Sequence, residues 1–98
     1  MHIYITAIIK SKPAHQEEVY SVLQNMVRET RKEQACLLYD LHQDLKDENQ
    51  FIFYEIWENE EGLHLHNQQN YIKEFGYIVS EKLQETPQIY LTRKMPYN

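Results

Sequence analysis

Ninety-eight residues, of which 42% are apolar, 26% charged and 12% aromatic, predict one globular domain over 1–98 and exclude a disordered chain. Fifteen Asp and Glu against ten Lys and Arg give a net charge of −5 with no continuous basic stripe, so a nucleic-acid partner is not expected, and the only two Gly, at 62 and 76, exclude a Gly-rich phosphate loop. No apolar run approaches the roughly 20 residues that span a bilayer, the N-terminus MHIYITAIIK lacks the features of a signal peptide, and the single Cys36 cannot form an internal disulfide; a cytoplasmic protein without a membrane partner is expected.

Residues 2–10 read as a strand with Ile3, Ile5, Ala7 and Ile9 on one face and Tyr4, Thr6 and Ile8 on the other. Pro13 suits the first turn of a helix, which Val19, Val22, Leu23, Met26, Val27 and Thr30 continue as one amphipathic stripe. Residues 36–45 alternate as an edge strand, with Leu37, Tyr39, Leu41 and Leu45 on its inner side. After a polar turn, 51–58 forms a strand with Phe51, Phe53, Glu55 and Trp57 facing one way and Ile52, Tyr54 and Ile56 the other; two apolar faces imply cover on both. Asn59 can cap a short helix carrying Leu63 and His66, and Asn70 a second with Ile72, Phe75, Val79 and Leu83, stopped by Pro87. Residues 88–95 supply a last strand, followed by a short polar tail.

This order predicts an α+β fold, a ferredoxin-like βαββαβ sandwich whose antiparallel sheet carries its helices on one face. A chain of this length buries only about 65% of its unfolded surface, and the second sheet face, with Tyr4, Ile8, Ile52, Tyr54 and Ile56, has no cover of its own. A second copy, giving a twofold homodimer, is the expected cover.

Five histidines raise the question of a metal, but His64 and His66 are two apart and no His-x-x-x-His or Cys-x-x-Cys pair exists, so no metal site is expected. Cys36 reads as a small buried hydrophobe. Glu55 is a carboxylate on a face that should be core, and two readings stand equal: a structural ion pair, with Arg93 or Lys94 as partners, or a functional group. Trp57 and His66 each fit a core role as well. Their convergence with Glu55 between helices and sheet makes a ligand pocket the sharper reading.

Glu55-Ile56-Trp57, then Glu61-Gly62-Leu63-His64-Leu65-His66, then Tyr71 and Phe75, resemble the Glu-x-Trp…acidic-x-Leu-x-x-His pattern of the antibiotic biosynthesis monooxygenase domain family. Upstream, Arg31 to Tyr39 resembles that family's basic, Glu, Pro/Gly, Cys, Leu, x-Tyr stretch, with Gln34-Ala35 in place of Pro/Gly, and 44–51 resembles its Asp…Asn-x-Phe turn. The resemblance implies a dimeric α+β barrel and oxygenation of a quinol or polyphenol, a small aromatic substrate, by O2 with no cofactor. It implies His66 as base or hydrogen-bond partner, Trp57 as pocket wall and orienting N–H, Glu55 as an orienting carboxylate, and Tyr71, Phe75 and Phe53 as substrate-binding lining. The haem-degrading branch uses an Asn in the first strand, which is missing here, so haem is disfavoured. Two other functions fit the same residues: isomerisation of a small carbonyl or sugar phosphate, favoured by a pocket lined with Lys or Arg, and a non-catalytic binding or stress-response module, favoured by a fully packed core.

Overall fold

Ile5, Ala7 and Ile9 alternate along β1 (Ile3–Lys10), and all three are buried, which commits that face of the strand to the core. The computed structural model describes residues 1–97; Asn98, the end of the expected domain and of its polar tail, lies outside the described residues. Pro13 opens a 3₁₀ turn (Pro13–His15) that runs into α1 (Gln16–Thr30), and Val19, Leu23, Met26 and Thr30 are buried at helical spacing. β2 (Cys36–Gln43) and β3 (Gln50–Trp57) form a hairpin, α2 (Glu60–Asn67) and α3 (Asn70–Lys82) follow, and β4 (Gln88–Thr92) ends the described topology. The strands pair antiparallel in the order β2-β3-β1-β4, so the ferredoxin-like α+β sandwich is what the chain forms.

The core lies between the helices and one sheet face: Phe51, Phe53 and Trp57 of β3 meet Val19, Leu23 and Met26 of α1 and Leu63 of α2. Burying such large side chains contributes roughly 2 kcal/mol each. An ion pair from Lys82 Nζ to Glu18 Oε2, 2.6 Å, joins α3 to α1. The opposite face carries Tyr4, Thr6, Ile8, Ile52 and Ile56 half-buried and Tyr54 exposed, without protein over it.

Several local expectations are corrected. Leu37 is half exposed rather than inner, because the pairing slips between Cys36 and Leu38 against Trp57 and Ile56; the bulge turns Leu37 out and restores Tyr39 and Leu41 to the core side. Leu45 is fully exposed at the tip of the β2–β3 turn, where Asp44 accepts from Lys46 N at 3.0 Å and ends the strand at Gln43. α3 is capped by Gln69 rather than Asn70, since only two residues separate the helices and the Gln69 carbonyl already accepts from Ile72 and Lys73. The helix stops at Lys82, well before Pro87, because Leu83 turns extended and bridges Ser11. β4 ends at Thr92, which pairs with Tyr4 near the start of β1, so 93–95 have no strand to pair with.

Candidate functional site

A cavity of about 270 Å³ opens between the helix-facing side of the sheet and the helices α2 and α3. Its floor is β1 and β3, with Ile5, Ala7, Phe53 and Glu55; Ile72 and Phe75 of α3 form the roof. Ile89 and Leu91, which pair with Ala7 and Ile5 and therefore share their face, form the outer wall and remain 58% and 61% exposed, so the cavity opens along β4. Among the described residues no Lys or Arg lines it; its ionisable groups are Glu55, His66 and Tyr39.

Glu55 stands between Ile5 of β1 and Tyr39 of β2 at the centre of the sheet and is buried. Its partner is not Arg93 or Lys94: Oε1 accepts from Trp57 Nε1 at 2.8 Å, the indole reaching back two residues along the same strand face. Burial pushes its carboxyl up to about 7; the indole bond opposes that rise and the nearby charge of Glu33 adds to it. At neutral pH this group is poised to hold or release a proton.

His66 is buried at the end of α2 with its ring 4.5 Å from that of Trp57 and 5.6 Å from that of Tyr39. Its Nδ1 lies 2.8 Å from Glu33 Oε2, and the same oxygen accepts from the Tyr71 hydroxyl. Burial holds the imidazole below its ordinary pKa and Glu33 pulls it partway back, so the ring is neutral near pH 7. The Tyr39 and Tyr71 phenols are pushed above their usual range, first by burial, which keeps both as protonated donors.

The structure thus gathers all six anticipated side chains around one region but divides them. Glu55, His66, Phe53 and Phe75 line the cavity. Trp57 is fully buried (0% exposed) beneath Glu55 and His66, and Tyr71 spends its hydroxyl on Glu33; both stand behind the lining. Glu33 is the residue that sequence reasoning missed. It sits in the polar turn between α1 and β2, 33 residues from His66; its place as the Glu of the stretch that resembles the family pattern was the one signal that marked it, and neither charge nor spacing gave it a role. Cys36, half-buried with its thiol pushed up to about 11 by burial, is the opposite of an activated nucleophile. Among the described residues no three His, Cys, Asp or Glu cluster as metal ligands would.

α2 is placed by two devices. Asn59 caps it, its side chain accepting from Gly62 N at 2.7 Å, and Gly62 lets the helix approach the α1–β2 turn so closely that an added Cβ would sit 2.2 Å from Ala35 Cβ. Gly62→Ala therefore loses more by this clash than the roughly 1 kcal/mol that Ala gains in helix propensity. We expect a net destabilisation of about 1–3 kcal/mol by urea titration; equal or greater stability would show that α2 does not need this approach.

The profile described as antibiotic biosynthesis monooxygenase matches residues 2–76, a span that includes Glu33, Glu55, Trp57, His66, Tyr71 and Phe75. The chain is 34% identical over 73 residues both to the uncharacterized protein sll1783 of Synechocystis, covering 74% of this chain and 50% of that one, and to YcnE of Bacillus subtilis, itself a candidate monooxygenase, covering 74% and 77%. The match spans half the length of the first relative. Among solved structures, PA3566 of Pseudomonas aeruginosa superposes with a TM-score of 0.91 at 28% identity over 97% of this chain and 95% of the other. No helix among the described residues is long and apolar enough to cross a membrane.

Proposed function

Since the chain belongs to the antibiotic biosynthesis monooxygenase family, we propose that it oxygenates a quinol or related phenol with O2, using its own side chains for proton transfer. The observation that carries this reading is the lining: an apolar cavity holding two proton acceptors, Glu55 and His66, and no cation. An isomerase acting on a sugar phosphate needs positive charge against the phosphate, which this lining lacks. A non-catalytic core would fill the space, and about 270 Å³ is left open.

The chemistry asks little more of the protein. His66, neutral near pH 7, takes the phenolic proton, and the electron-rich phenolate passes an electron to O2. Recombination at a ring carbon gives a hydroperoxide, which loses water to leave a carbonyl: one oxygen atom enters the substrate, the other departs as water, and the substrate supplies all four electrons. Phe53 and Phe75 hold the ring flat, and the apolar walls keep water from the intermediate. Glu55, with its carboxyl near 7, takes or returns the second proton. Trp57 acts through Glu55 and His66, holding the first by its N–H and the second by ring contact. An oxygen electrode with menadiol-type quinols and simple polyphenols tests the reading; we expect uptake above the autoxidation rate, and its absence across both classes overturns it.

The uncovered sheet face supports a second proposal, that two copies pack there as a homodimer. Sedimentation at micromolar concentration is expected to show twice the 11.9 kDa chain mass; a species of 11.9 kDa alone overturns the dimer.

A further inference from the structure

We propose that Glu33 is a positioning residue of this site: one carboxylate oxygen, accepting from both His66 and Tyr71, holds the imidazole in the tautomer whose free Nε2 serves the cavity. The inference rests on the reading of His66 as the base. Glu33 Oε2 lies 2.8 Å from His66 Nδ1 and also takes the Tyr71 hydroxyl. A carboxylate only accepts, so the proton between it and the ring belongs to Nδ1, and Nε2 is left with a lone pair and, among the described residues, no hydrogen-bond partner on a ring that lines the cavity.

The neighbouring cations are committed elsewhere. Arg31 pairs with Asp40 at 3.0 Å and donates to the Tyr39 carbonyl, and Lys32 pairs with Glu29 at 3.0 Å. Both side-chain hydrogen bonds that reach Glu33 Oε2 therefore come from the site itself, and any positive charge that forms on His66 is its direct counterpart. The arrangement draws on three separate elements, with Glu33 from the α1–β2 turn, His66 from α2 and Tyr71 from α3. The other ionisable groups near the ring are Tyr39 of β2 and Glu55 of β3.

Nitrogen-15 NMR of histidine-labelled protein tests this without substrate or turnover, so it can fail while the monooxygenase reading stands, and the reverse. In the wild type the neutral His66 ring is expected to carry its proton on Nδ1. Glu33→Gln, which keeps an acceptor but removes the charge, should keep that tautomer and lower the titration of His66 by about one to three pH units. Glu33→Ala should move the proton population toward Nε2. Tyr71→Phe, by leaving the carboxylate with one donor, should raise the titration. With an active substrate, Glu33→Ala should lower kcat/KM by about 10²- to 10⁴-fold, as expected where a buried carboxylate holds a histidine base. Opposite shifts in Glu33→Gln and Tyr71→Phe support positioning, whereas a merely structural Glu33 moves neither. A wild-type ring protonated on Nε2, or a titration unmoved by Glu33→Gln, overturns the proposal. Should Glu33→Gln fail to fold, the wild-type tautomer and Tyr71→Phe still decide it.

Discussion

His66→Asn is expected to reduce quinol-dependent oxygen uptake by about 10²- to 10⁴-fold, the range that general-base catalysis supplies. His66→Ala should show a similar loss, but it also opens a void against the Trp57 ring, now 4.5 Å from the imidazole, and strands Glu33 without one of its two donors. Asn separates these effects: its amide can still donate toward Glu33 and fills part of the space, yet it cannot take a proton. A folded His66→Asn protein that consumes oxygen at the wild-type rate removes His66 from the chemistry. A folded variant with the large loss identifies the missing function as proton transfer rather than packing.

Glu55→Gln has effects on stability and rate that run in opposite directions. A carboxyl held near 7 in the folded chain, against 4.5 when unperturbed, binds its proton more tightly in the folded state. Wild-type stability is therefore undiminished below about pH 4.5, falls as pH rises from there to about 7, and is level above, having lost on the order of 3 kcal/mol in all. Gln has nothing to ionise and its carbonyl can still accept from Trp57 Nε1, so this slope should vanish. We expect the melting temperature of Glu55→Gln to match the wild type at pH 4 and to exceed it by about 12–24 °C at pH 8. Activity should move the other way: wild-type kcat/KM climbs with pH through about 7 as Glu55 ionises, while the variant lacks this rise, keeps only the acid-side loss due to His66, and is about 10²-fold lower. Identical pH dependence of stability in the two proteins would show that Glu55 carries no such burden.

The pairing of a buried acid with an apolar wall was legible in the sequence because strand alternation is a strict period of two. Glu55 falls between Phe53 and Trp57, and no register consistent with a buried Phe53 turns it outward. His66 was legible for a similar reason, one helical turn from the buried Leu63. What the alternation could not supply was the depth of Trp57 or the direction of its N–H, since a period assigns a face and not a partner. Nor could it show Glu33, whose role depends on three elements meeting in space. Leu37 illustrates the same limit at smaller scale: one inserted residue in β2 reverses the face it occupies, and an unbroken alternation gives no sign of the bulge. The four strands follow from local pattern, the β2–β3 pairing from their short hairpin connection, and the rest of the order from the alternation of helices and strands in the βαββαβ pattern, which explains why the fold was readable where the polar wiring was not.

The open wall formed by Ile89 and Leu91 separates two tasks within the cavity. Every group proposed to handle protons, or to hold such a group in place, comes from residues 33–71, whereas the open side of the cavity is contributed by β4, outside the segment shared with the family profile. Two side chains on an exposed edge strand, making few demands on the core, can be exchanged for larger or smaller ones while the proton-handling groups stay as they are. On the proposed reading, substrate choice would be set at positions 89 and 91 without disturbing the proton-handling groups, and a small library confined to those two positions is the economical way to test that separation.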